Sequence, residues 1–350
     1  MNSCGLSEDK ALSASKKVYF KTSSRPDSVL TLLENNCFTK LYISKLITRR
    51  PSVLSSDPYK TLKPKFDFFI SMGLSGLDLA KFFTIDPDLL NRSLEKQIIP
   101  VFTFLKSVVH TDKNVIALLK RSARVLKLHL GKYLVPNIEY LRDQGLPDSN
   151  ITTLLITQPR SFLMNASRFK VIIEEIKGMG LDPSKTAFVQ AIQALTSMSK
   201  STWEAKLNVY RRWGWSEDEI RTAFRKQPIC MIISEKNIMA GMDFFVNQMG
   251  YNPSLMAKHP IVLMYSLEKR IIPRFSVIRI LVSKGLVKKD FYITSVLVKA
   301  EKFFLEKYVI KYEEEVPELL KWREGSLHIE RIQTLCELWG GAARTKESKT

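Results

Sequence analysis

Apolar residues recur along this chain at helical spacing, in short runs broken at regular intervals by proline and glycine. Ile43, Leu46 and Ile47 form one apolar face, Ile151, Leu154 and Leu155 another, and Ile220, Ala223 and Phe224 a third. A face at i, i+3 and i+4 predicts a helix. Each such run ends at a Pro followed three residues later by an apolar side chain: Pro51 with Leu54, Pro87 with Leu90, Pro159 with Phe162, Pro228 with Met231 and Pro260 with Leu263. A second Pro follows 13 residues after the first, at Pro64, Pro100 and Pro273, and Pro136 takes the same place after Ala123 and Leu126. About nine residues further on stands a Gly followed by an apolar residue and often a capping residue, as in Gly73-Leu74-Ser75, Gly145-Leu146-Pro147-Asp148, Gly180-Leu181-Asp182, Gly214-Trp215-Ser216 and Gly250-Tyr251-Asn252. Cys37-Phe38-Thr39 and Val109-His110-Thr111 fall where that Gly would be.

Each landmark has a physical role. Gly enters the left-handed region without a Cβ penalty and so ends a helix. The Ser, Thr or Asp after it caps the next one, and Ser216 with Glu219 fits a capping box. The first Pro stops that helix, because it has no N–H and pushes the preceding residue out of the α region. The apolar residue three positions on tucks the turn against the core. The second Pro is placed near the start of a second helix, where its missing N–H costs little. Four residues later Phe68, Phe104, Tyr140, Phe245 and Val277 are expected to face inward. The stretch Phe82 to Val109 displays the whole module.

The period is about 34 to 36 residues from Cys37 to Gly285. A single two-helix unit cannot bury its apolar face alone, so neighbours must stack. The predicted fold is all-α: a superhelical solenoid, right- or left-handed, of about eight two-helix repeats. Residues 1–27 read as an N-terminal segment, 28–320 as the repeat domain and 321–350 as a partly disordered tail, with a closing helix from Tyr308 to Leu320 after the phase fades at Leu286.

Charge alters the picture. Among 350 residues, 54 Lys and Arg stand against 35 Asp and Glu, a net charge of +19, while 45% apolar and 25% charged residues are normal for a folded protein. So basic a chain points to a polyanion, nucleic acid first. The cations gather near the turns and at the start of the second helix: Arg49-Arg50, Lys120-Arg121 with Arg124, Arg160 with Arg168 and Lys170, Arg225-Lys226, and Lys269-Arg270 with Arg274. Equivalent positions of stacked repeats share an edge, so these form a stripe able to follow a phosphate backbone. Trp203, Tyr210, Trp213 and Trp215 lie beside Arg211 and Arg212, either to stack on bases or, the more common role, to fill the core.

Other chemistry is not suggested. Cys4, Cys37, Cys230 and Cys336 contain no Cys-x-x-Cys pair, the four His do not cluster with them, and they read as scattered buried thiols. No phosphate loop, paired-His metal motif or nucleophile elbow occurs. Asp67 and Glu139 read as helix-surface carboxylates. The chain is expected to be a non-enzyme without cofactor, metal or small-molecule substrate, monomeric, and without a membrane span.

The paired-Pro and Gly-Leu-Ser signature, together with Asn2-Ser3-Cys4-Gly5-Leu6-Ser7, Ala11-Leu12-Ser13-Ala14-Ser15-Lys16-Lys17, Arg212-Trp213-Gly214-Trp215-Ser216-Glu217, Ser266-Leu267-Glu268-Lys269-Arg270-Ile271-Ile272-Pro273-Arg274 and Lys311-Tyr312-Glu313-Glu314-Glu315-Val316-Pro317, resembles the mitochondrial transcription termination factor family, in its plant organellar branch. That resemblance covers the chain to about Leu320. It implies a superhelix with a basic concave groove that binds double-stranded nucleic acid in a mitochondrion or chloroplast. The implied roles are transcription termination or other transcriptional regulation, or alternatively intron splicing or RNA maturation on structured RNA. A third alternative is a protein-interaction solenoid. As phosphate contacts it implies Arg124, Arg160, Arg168, Arg212, Arg225, Arg270 and Arg274. Met1 lies directly on the segment that follows the transit peptide in that branch, and no Arg-rich leader is visible. An incomplete first repeat would leave Leu30, Leu32 and Leu33 exposed.

Overall fold

The computed structural model describes residues 4–20, 22–288 and 290–319. The expected tail, with His328 and Cys336, and the end of the closing helix lie outside these. Among the described residues every regular element is helical. The chain divides into two compact units, Met1–Glu175 and Ile176–Thr350.

The predicted order of first helix, tight turn and second helix is found. First helices are Lys40–Arg49, Gly76–Ile85, Asp112–Arg121, Asp148–Thr157, Thr186–Thr196, Glu217–Lys226 and Pro253–Lys258. The turns Pro51–Ser55, Pro87–Asn91, Ala123–Lys127, Pro159–Leu163, Pro228–Ile232 and Pro260–Met264 are short 3-10 helices. Leu54, Leu90, Leu126, Phe162, Met231 and Leu263 are all buried beneath them. The residue before each turn leaves the α region, as a following Pro demands, with φ −132° and ψ 78° at Asp86. Ser122 does the same, at φ −152° and ψ 89°, although Ala123 follows it. Pro therefore favours the turn without being required: burial of Val125 and Leu126 holds the Ala123 copy.

Helix ends follow the predicted phase. Cys37 (φ 64°), in the Gly place, and His110 (φ 71°), one residue after the Val109 that falls there, are the two non-glycine residues at positive φ among those described. At Gly73 the left-handed residue lets Leu74 N–H donate back to the Phe69 carbonyl at 2.9 Å and bury its side chain. His110 makes a simpler cap, its N–H donating to Lys106 O at 2.7 Å. A Cβ in this conformation is strained. His110→Gly should therefore stabilise the first unit by about 1 kcal/mol, seen as a raised urea midpoint with an unchanged slope.

The second Pro departs from expectation. Pro64, Pro100 and Pro273 do open the α-helical stretches Lys63–Ser71, Ile99–Val109 and Ile272–Ser283, but each stretch continues a π-helical turn, Pro58–Leu62, Leu94–Ile98 or Leu267–Ile271. Leu62, Ile98 and Ile271 donate to the carbonyls of Asp57, Ser93 and Ser266, five residues back, at 3.1 to 3.3 Å. Pro cannot donate, and in a regular helix its ring meets the carbonyl four residues before it; the wider turn relieves that collision. Asp57, Ser93 and Ser266 cap these turns through their side chains. Pro136 follows a looser turn and fits the simpler expectation, third in Leu134–Asp143.

The inward face of the second helix also lies elsewhere. Phe245 and Val277 are buried, but Phe68, Phe104 and Tyr140 are only half-buried. The buried face lies one, two and five residues after the second Pro: Lys65, Phe66 and Phe69; Val101, Phe102 and Leu105; Asn137, Ile138 and Leu141; Arg274, Phe275 and Ile278. Leu30, Leu32 and Leu33 are buried as well, since Ser24–Asn35 packs on the Pro51–Ser55 turn and the Pro58–Leu62 turn. Within each unit first helices stack on first helices, Lys40–Arg49 on Gly76–Ile85 and Glu217–Lys226 on Pro253–Lys258. The turns stack too, Ala123–Lys127 on Pro159–Leu163 and Pro228–Ile232 on Pro260–Met264, so equivalent turn residues do share an edge.

Candidate nucleic-acid interface

The cations of this edge divide into two kinds. Some are ties between successive repeats. Arg49 Nη1 donates to the carbonyls of Thr84 and Ile85 at 2.9 and 3.0 Å, where the next first helix ends and its carbonyls carry negative partial charge. Lys226 does the same to Lys258 O at 3.3 Å. Arg50 pairs with Asp88 at 2.8 Å, Lys127 with Asp86 at 2.8 Å and Lys120 with Asp78 at 2.5 Å. The Lys120 ammonium holds the Asp78 carboxyl below its usual range.

Arg270 and Arg274 belong to this tied class, contrary to the sequence expectation. Arg274 is 1% exposed and donates to the carbonyls of Val296 and Lys299 at 2.7 and 2.8 Å and to Glu301. Arg270 is half-buried over the Tyr265 ring and donates to Leu297 O at 2.8 Å and Lys299 O at 2.7 Å. The Arg274 guanidinium is closed off from solvent, and that of Arg270 is partly so. The reason is positional. Arg274 lies one residue after the second Pro, at the buried polar place that Lys65, Asn137 and Lys206 occupy in other repeats. Asn137 and Lys206 likewise reach the carbonyls that close the next turn, Met164 and Ile233. Burial presses the Lys65 and Lys206 ammonium groups below their ordinary pKa.

Arg121, Arg124, Arg160, Arg168, Arg212 and Arg225 are uncommitted or held weakly within their own helix, while Lys170 lies over the Tyr140 ring at 4.9 Å. Arg124 and Arg160 are exposed and line one open cleft of about 500 Å³ in the first unit, with Lys81, Lys120 and Arg121 and with Asp78 and Asp86, whose carboxylates are paired with Lys120 and Lys127. Arg121 makes a single long bond, to Ala117 O at 3.4 Å. Arg168 is exposed in the first turn of Ala166–Gly178 and outside that cleft. In the second unit Arg225 is exposed at the turn end of Glu217–Lys226, 3.4 Å from Thr222 Oγ1. Arg212 is exposed as well, but it ends Lys200–Arg212 beside Gly214, at the opposite end of the repeat from the turns. The field at the second unit's turn edge is visible in His259, whose pKa is depressed by burial and then by Lys226 and Lys258.

Of the aromatic cluster, Tyr210 and Trp215 are core, and Trp203 and Trp213 are half-buried. Tyr210 and Trp215 are buried and stacked with ring centroids 4.4 Å apart, Trp203 packs edge-on against Phe224, and Trp213 Nε1 faces Met239 Sδ at 3.2 Å. Cys4 and Cys230 are buried, the Cys230 thiol being pushed up to about 12 by burial; Cys37, expected inside, is exposed because it occupies a helix cap. Asp67 is on the surface, paired with Lys63 at 2.6 Å. Among the described residues no group of three His, Cys, Asp or Glu is placed to hold a metal, and no helix is long and apolar enough to cross a membrane.

The repeat geometry agrees with comparison to known proteins. The family model described as mTERF matches residues 30–240 and 169–305. The chain belongs to the mTERF family. The two matches together cover every turn from Pro51 to Pro260 and the clasp around Arg274. This mTERF chain is also similar to the transcription termination factor MTERF15, mitochondrial, of Arabidopsis thaliana, 31% identical over 97 residues, which is 27% of this chain and 22% of that protein. The match thus spans about a fifth of a plant relative's length. mTERF membership supports a nucleic-acid-binding regulatory role in general terms.

Proposed function

We propose that this protein binds double-stranded nucleic acid in an organelle, mitochondrion or chloroplast, and regulates transcription there, including its termination. Binding is non-enzymatic and is carried out by a monomer. The observation that supports it most is the cleft in which Arg121, Arg124 and Arg160 stand together without a strong protein partner. Guanidinium groups left free on an edge of stacked turns can each take a phosphate, and such contacts fix register without reading sequence. Arg168, Arg212 and Arg225 are secondary contacts in this reading.

Fluorescence anisotropy with a duplex of about 25 base pairs should show affinity falling steeply with salt, with a log–log slope of about −0.9 for each phosphate engaged. A protein-interaction solenoid would bind neither duplex nor RNA under these conditions, and that result would sink the proposal. Competition between duplex DNA and structured RNA separates a transcriptional regulator from a splicing or maturation factor.

A further inference from the structure

The Pro87 turn carries the wrong sign for its edge. Asp86 and Asp88 flank Pro87, whereas Arg50 precedes Pro51, Arg124 follows Ala123 and Arg160 follows Pro159. Both carboxylates are occupied by cations of neighbouring repeats. Asp88 Oδ1 accepts from Arg50 Nη1 at 2.8 Å, one repeat back, and its Oδ2 lies 3.4 Å from Lys127 Nζ, one repeat on. Lys127 is also 2.8 Å from the nearly buried Asp86. Asp88 thus spans three consecutive turns.

Stability does not account for it. The Asp88 side chain is 51% exposed and that of Arg50 37% exposed, and a pair so exposed contributes little to folding, whereas the more enclosed Lys127 already has its shorter bond to Asp86. A carboxylate lying between an arginine and a lysine offers the charge and the acceptor oxygens that a phosphate would offer. Resting on the nucleic-acid reading above, we propose that Asp88 is a built-in phosphate mimic: it occupies Arg50, holds it off the nucleic-acid backbone, and lowers affinity for duplex of arbitrary sequence, while Lys127 stays with the buried Asp86. The grip is thereby confined to the neighbouring cleft of Arg121, Arg124 and Arg160. A repeat that looks merely deficient in positive charge becomes the element that keeps sequence-independent binding in check.

The test measures anisotropy of the full chain with one unrelated duplex over a salt series. Asp88→Asn should raise affinity about tenfold at 0.1 M salt and steepen the slope by about one, the signature of one further phosphate contact. Asp88→Ser, too short to keep the bond to Arg50, should do the same. Adding Arg50→Gln to either variant should return affinity to the wild-type value. Asp67→Asn adds the same charge on a second helix, where Asp67 pairs with Lys63, and should shift affinity far less. If both Asp88 variants bind no better than Asp67→Asn, and only their melting temperature falls, Asp88 is a structural brace and the proposal is overturned. If the wild-type chain itself shows no salt-dependent duplex binding, it is the nucleic-acid reading that has failed, and this inference falls with it.

Discussion

Replacing Arg274 with methionine should weaken the second unit by about 3 kcal/mol while leaving nucleic-acid affinity per folded molecule unchanged. Methionine keeps the aliphatic stem but removes every donor. The Val296 carbonyl then loses the 2.7 Å bond that Arg274 provides, whereas the Leu297 and Lys299 carbonyls keep their bonds from Arg270. Glu301 can turn to water, since its side chain is 57% exposed. The cost therefore falls on the orphaned carbonyl and on packing against the Phe304 ring, over which the guanidinium lies at 4.6 Å. Arg274→Lys should recover part of it. Urea denaturation followed by circular dichroism reads the loss. Wild-type stability combined with lost duplex binding would instead make Arg274 a phosphate contact, as its sequence context alone suggests.

Reversing Arg124, Arg160 and Arg225 together to Glu should abolish duplex binding without unfolding the chain. Three phosphate contacts at a slope of about −0.9 each correspond to nearly three orders of magnitude in affinity at 0.1 M salt, before any repulsion from the new carboxylates. All three side chains are exposed, none closes a buried ion pair, and Arg225 loses only a 3.4 Å approach to Thr222. The melting temperature should therefore move little. Reversing Arg49, Arg50 and Lys226 gives the informative contrast. These look the same in sequence, but two of them bond helix-end carbonyls of the next repeat, so stability should suffer first.

That contrast shows where sequence reading stops. The repeat phase is legible because Pro and Gly act on their own backbone. The phase even locates Cys37 at a left-handed cap, where composition would not place it, and comes within one residue of the cap at His110. The π-helical turns were open to the same logic: Asp57, Ser93 and Ser266 each stand seven residues before the second Pro, and a capping residue there marks a helix that starts early. The partners of the cations were not legible by local spacing. Arg49 bonds residues 35 and 36 positions away, Lys226 one 32 away, and Asp88 meets Arg50 across 38. Local context cannot tell Arg49 from Arg160, but looking one period ahead for a helix end or an acid can. Lys65, Asn137, Lys206 and Arg274 carry a comparable signal, a polar residue in fixed register on an otherwise apolar face.

These ties also bear on how such a chain can change length. Each one joins a residue to the neighbouring repeat about one period away, so tied repeats hold one another in a fixed register. Removing or duplicating one whole module leaves equivalent turns facing each other at the new junction. An insertion or deletion of any other size within a helix puts two joints out of register at once. Viable variation in length should thus come in steps of whole modules or be confined to loops outside the clasp positions, such as the looser turn ahead of Pro136.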